Sequence, residues 1–107
     1  MSKHRIRELN DAFRQTFIGG RVLVTPGVRA LPLESNAALL ERVRTFDRFD
    51  GDNDPHQEHD FGAIEIAGER YFWKIDYYDS LMVGGSEDPT DPGKTTRVLT
   101  IMRADEY

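Results

Sequence analysis

"FGAIEIAGERYFWKIDYYD", Phe61 to Asp79, decides the fold. Apolar and polar residues alternate on both sides of Ala67-Gly68, the period of a half-buried strand, and glycine supplies the positive φ of a tight hairpin. A two-residue loop fixes the register. Glu65 then opposes Arg70, Ile64 opposes Tyr71 and Gly62 opposes Trp73, pairs matched in charge, bulk or large against small. One face carries Ile64, Tyr71, Trp73, Ile75 and Tyr77, the expected core. The other carries Phe61, Glu65, Arg70, Phe72, Lys74, Asp76 and Tyr78, a mixture of charges and rings. Extended backward, the same register sets His59 opposite Asp76.

Upstream, Ile6, Leu9 and Phe13 recur at helical spacing and predict a helix over Lys3–Gln15, ended by Gly19-Gly20. "RVLVT" reads as a short strand, and Pro26-Gly27 as a type II turn. After Pro32, Leu39, Leu40, Val43 and Phe46 predict a second helix, with Ser35 or Asn36 as N-cap. Downstream, Ser80 to Lys94 is a loop of fifteen residues rich in Gly, Pro and Asp, a length that usually marks function or mobility. "TTRVLTIMRADEY" closes the chain as a strand, with Val98, Thr100 and Met102 on one face and Leu99 and Ile101 on the other. The expected fold is α+β in the order α-β-α-β-β-β. Two helices pack on one face of a mainly antiparallel sheet of three or four strands, in one domain over 1–107.

The chain has 107 residues and a net charge of −5, divided unevenly. Up to Phe46, eight Lys/Arg stand against four Asp/Glu, leaving +4; from Asp47 onward six stand against fifteen, leaving −9. The acidic half repels phosphate, so no direct nucleic-acid partner is expected; a protein partner is. Cysteine is absent, which removes disulfides, thiolate metal sites and a cysteine nucleophile and fits a cytoplasmic protein. No apolar run reaches the length of a signal or a membrane span, so no membrane partner is expected.

"NDPHQEHDFG", Asn53 to Gly62, holds three carboxylates and two histidines. His56 and His59 are weak metal candidates, because a Pro-containing loop gives their spacing no fixed frame, and no cofactor is expected. Asp50, Asp52 and Asp54 match the first three ligand positions of a calcium loop, but Pro55 and Phe61 stand where glycine and glutamate are required. Capping and solvation account for most of these residues. Glu58, His59, Asp60 and Asp76 remain as a candidate acid/base set, weighed against a structural pin between loop and strand. Asp50, Asp52, Asp54, Phe72, Lys74 and Tyr78 form the candidate binding surface, since exposed rings mark partner surfaces more often than catalytic ones.

These segments carry a resemblance. "NDPHQEHDFG", "YFWKIDYYD" and "RVLTIMRADEY" resemble the signature segments of a domain-of-unknown-function family of small alphaproteobacterial proteins, a likeness that runs from "IRELNDAFR" onward. His56 departs from it, since tyrosine is expected there. The resemblance implies no activity; an association of such proteins with mobile elements implies a role in conflict or regulation. Two functions follow as expectations: a non-catalytic acidic protein that binds and inhibits a nucleic-acid-handling or defence complex, or a small metal-assisted hydrolase built around His59.

Overall fold

A computed structural model describes residues 2–107. Ile6 and Phe13 lie on one stripe of helix α1 (Ser2–Thr16), and both are buried. The helix ends earlier than its glycines suggest. Phe17 takes the left-handed conformation (φ +60°), its N–H bonding back to the Phe13 carbonyl. Gly20 instead opens strand β1 (Gly20–Val24), where an added Cβ would overlap the Arg97 carbonyl and the Phe13 ring.

The turn expected at Pro26-Gly27 is a short helix, α2 (Pro26–Arg29). Thr25 is extended and Pro26 occupies the first turn, where its missing N–H costs nothing. Val28 points into the core and is fully buried, which gives the turn a reason to wind. Helix α3 (Leu33–Arg44) follows, starting directly after Pro32 and not at Ser35 or Asn36. The Asn36 amide is used elsewhere: its Nδ2 donates to the Val28 carbonyl at 3.0 Å and ties α2 to α3. Three α-helices therefore replace the two expected.

Strands β2 (Phe61–Ile66) and β3 (Glu69–Tyr78) form the hairpin in the register expected, with Gly62 against Trp73, Ile64 against Tyr71 and Glu65 against Arg70. Ala67 and Gly68 both take positive φ, +53° and +81°, as a type I′ turn requires. Gly62 is required by packing: a Cβ there would overlap the Trp73 indole and come within 2.8 Å of Phe46. Strand β4 (Thr96–Arg103) runs antiparallel to β3. The sheet order is β1-β4-β3-β2, and β1 pairs with β4 in parallel, so the sheet is mixed. The helical crossover from β1 explains it. Helices return the chain to the end where β1 began, β2 runs the same way as β1, and two reversals later so does β4.

Phe13, Val28, Leu39 and Val43 of the helices pack on Ile64, Tyr71, Trp73, Ile75, Leu99 and Ile101 of the sheet. All the α-helices that contribute lie on this face. On the opposite face Phe72 lies 5.2 Å from Phe61 and 5.4 Å from Tyr107, centroid to centroid. Tyr107 is placed there by a 3-10 turn (Ala104–Glu106), whose Glu106 carboxylate accepts from Thr25 Oγ1 and from the N–H groups of Gly27 and Arg103. The loop after β3 is ordered by short-range bonds: the Asp79 carboxylate accepts from the N–H groups of Leu81, Val83 and Gly84. No helix of the described residues is long and apolar enough to cross a membrane.

Candidate functional site

The hairpin register holds back to Asp60, whose carbonyl accepts the Ile75 N–H at 2.9 Å. One residue earlier it fails. His59 has φ +55°, and this left-handed step sends its ring away from Asp76 and toward helix α1. There Nδ1 meets both carboxylate oxygens of Asp11, at 2.9 and 3.1 Å. Nε2 faces Asp54 at 3.6 Å, and the Asp54 carboxylate also accepts the His59 backbone N–H at 2.9 Å. The ring stacks on Phe49, centroids 3.7 Å apart and planes nearly parallel. The expected His59–Asp76 juxtaposition is therefore corrected; Asp76 instead holds the Lys74 ammonium at 3.0 Å.

Asp11 is shared. Its Oδ1 also accepts from Arg14 Nη1 at 3.0 Å. Arg14 is 2% exposed and donates further to the Val43 and Phe46 carbonyls, capping the end of α3 where a cation is favoured. Its guanidinium lies 5.2 Å from the Trp73 ring and 5.3 Å from the Phe49 ring. A second buried network adjoins it. Asn10 Nδ2 donates to the Glu58 carbonyl and to Tyr77 Oη, while its Oδ1 accepts from Arg97 Nε at 2.7 Å. The Tyr77 hydroxyl donates to Glu58 Oε1 at 2.8 Å. Burial first, and the Glu58 carboxylate with it, pushes the Tyr77 hydroxyl far above its ordinary pKa, while the Asn10 amide opposes them. It is a structural donor, not a proton carrier at neutral pH.

The candidate residues thus separate into two places. Glu58 and His59 bind the acidic loop to α1, and Asp54 braces His59 from within the loop. Asp50 closes the same loop, its Oδ1 accepting from the N–H groups of Asp52 and Asn53. Asp52, His56, Asp60, Phe61, Lys74, Asp76 and Tyr107 line a different hollow, about 350 Å³, at the rim of the uncovered face. His59 lines a shallow cleft of about 400 Å³ with Arg7, Phe49 and Gln57, so the two histidines serve separate hollows. Among the described residues no three His, Asp or Glu side chains are placed to hold a metal ion. Burial, then the neighbouring Glu58 charge, raises the Asp60 carboxyl above its ordinary range. The Asp76 hydrogen bond raises Lys74, which keeps that amine a cation and unsuited to nucleophilic work.

Of the remaining surface candidates, Phe72 lies under the Arg70 guanidinium at 5.3 Å, and Tyr78 is half-buried beside Thr96, with Gly85 bridging it from the long loop. Asn10, Asp11, Arg14, Arg97 and Tyr107 were not expected at either place. One signal pointed to two of them. Asn10 and Arg14 continue the Ile6 stripe at helical spacing, and a polar residue on an apolar stripe is buried for a reason.

A family model described as "Protein of unknown function (DUF3768)" matches residues 24–106, from the end of β1 to the last turn. The chain belongs to this family. Helix α1, which supplies Asn10, Asp11 and Arg14, lies outside the matched span. No curated protein and no solved structure matches the chain.

Proposed function

We propose that this member of the DUF3768 family is a non-catalytic binding protein that engages a basic protein surface with the uncovered face of its sheet. One observation carries the reading: the α-helices pack on a single face, while the other presents the Phe61–Phe72–Tyr107 ring cluster beside the hollow of Asp52, Asp60 and Asp76. Rings flanked by carboxylates suit arginine and lysine side chains, which stack on the former and pair with the latter. The half-buried Asp60 carboxylate gives such a contact strength, since a partner cation relieves the cost of holding it ionised. The partner class that fits is a nucleic-acid-handling or defence complex, whose phosphate-binding surface is basic, and occupation of that surface inhibits it.

The acid/base reading is weaker on geometry. Both His59 ring nitrogens already face carboxylates, so neither is presented to a substrate. The pattern supports a structural pin instead, but one that ties the loop to helix α1 and not, as expected, to the strand.

The test is recovery of bound protein by the immobilised full chain, compared with the Phe72→Ala/Tyr107→Ala and Asp52→Asn/Asp60→Asn chains across a salt series. Recovery falls with salt and with either pair of changes, while Ala38→Ser on the far side of α3 leaves it intact. Recovery indifferent to salt and to both pairs rejects the proposal.

A further inference from the structure

The edge of the sheet at β2 carries an inference independent of the binding reading. Because the Ile75 N–H bonds to the Asp60 carbonyl, the alternation of an antiparallel ladder makes Gly62–Trp73, Ile64–Tyr71 and Ile66–Glu69 the hydrogen-bonded pairs. The N–H and C=O groups of Phe61, Ala63 and Glu65 therefore point outward. Strand β2 ends the sheet order, and among the described residues no hydrogen bond reaches these groups. Folded monomers blunt such edges with proline, lysine, a bulge or a covering segment. Strand β2 has neither proline nor lysine, and its register against β3 is unbroken from Phe61 to Ile66.

We propose that two copies of this chain pair through β2, antiparallel about a two-fold axis at Ala63. In this register Ala63 faces Ala63 and Phe61 of one copy faces Glu65 of the other, so all three outward residues of both strands find partners. Sliding the strands leaves some without. Ala63 places a small side chain at the axis, and Gly62 of one copy faces Ile64 of the other, small against large. Beside the strand runs a groove of about 360 Å³ lined by Arg42, Arg48, Asp47 and Glu65 among others. Equal numbers of each sign make this rim complementary to itself, as an isologous contact requires; a rim of one sign would repel its copy and suit a charged peptide instead. Arg42 and Arg48 make no ion pair among the described residues, which leaves them for the second copy's Asp47 and Glu65. The axis stands normal to the sheet, so both ring clusters face the same side of one eight-stranded sheet.

The experiment is sedimentation equilibrium of the full chain, joined to cross-linking. The sequence lacks cysteine, so Ala63→Cys introduces a single thiol. Facing Cα atoms of a hydrogen-bonded antiparallel pair lie about 5.5 Å apart, inside the disulfide range of about 4.4–6.8 Å. The native chain sediments as a dimer, and Ala63→Cys oxidises to a linked dimer at least about tenfold faster than Ala38→Cys on exposed α3, through effective concentration. Ala63→Pro, which removes the N–H at the axis, sediments as a monomer with its far-ultraviolet dichroism intact. If that chain does not fold, the cross-linking rates decide alone. A native chain that stays monomeric at every concentration, or an Ala63→Cys chain that links no faster than Ala38→Cys, overturns the proposal.

Discussion

The imidazole of His59 and the carboxylate of Asp11, 48 residues apart, meet at 2.9 Å and fasten the acidic loop to the first helix. With Asp54 on the other nitrogen, the ring spans two carboxylates, one of them 5% exposed. His59→Ala leaves the buried Asp54 carboxylate only the backbone N–H of residue 59 and removes the imidazole from Asp11, and the unfolding free energy falls by about 1–3 kcal/mol, the cost of lost partners for part-buried polar groups. Urea unfolding at neutral pH measures it, and a midpoint equal to that of the native chain contradicts the pin.

The network of Asn10, Tyr77, Glu58 and Arg97 predicts coupling. Asn10→Ala deprives the buried Arg97 Nε of its acceptor and Tyr77 of a donor, while Tyr77→Phe removes one hydroxyl from the same cluster. Because the losses overlap, the double change destabilises less than the sum of the single ones, by about 0.5–3 kcal/mol. Strict additivity in a double-mutant cycle counts against a shared network.

Gly62→Ala should be far more damaging than a methyl group suggests. The added Cβ overlaps the fully buried Trp73 indole, which has no room to move inside the core, and presses on the partly buried Phe46. Overpacking of this kind costs about 1–3 kcal/mol. Thermal unfolding followed by Trp73 fluorescence reads both the lost stability and the displaced indole.

Two carboxyl groups predict opposite responses to pH. The folded chain raises the pKa of Asp60, chiefly by burial, so its stabilising contribution is complete below the unfolded value and is lost as pH rises through the folded one. Asp60→Asn therefore stabilises the chain near neutral pH and not in strong acid. Glu106 is lowered, first by the Thr25 hydroxyl and then by backbone N–H groups; its contribution is present above the unfolded value and disappears as pH falls through the folded one. Glu106→Gln flattens the acid limb of the stability profile. Chemical denaturation from acid to neutral pH checks both, and a loss of stability in Asp60→Asn near neutrality refutes the first.

The hairpin, its register and its two faces were legible in the sequence because all three are local: a two-residue turn and a period of two leave one arrangement. Both major helices were visible for the same reason. The parallel strand pair was less so, although the helices between β1 and β2 already implied that the two strands run the same way; their final neighbours depend on contacts more than 70 residues apart. Helix α2 was hidden because Pro-Gly favours a turn unless a residue such as Val28 has a core to enter.

Sequence by itself determined the layers, the core face of the hairpin and the concentration of carboxylates around one loop. Tertiary structure decided which groups those carboxylates meet. A left-handed residue at His59 reverses the direction of a side chain that strand periodicity would aim at Asp76, and its partner waits on a helix whose docking no local pattern encodes. Side-chain direction follows from φ and ψ at one residue, whereas partnership requires two distant segments to be brought together, and that is settled when the core closes.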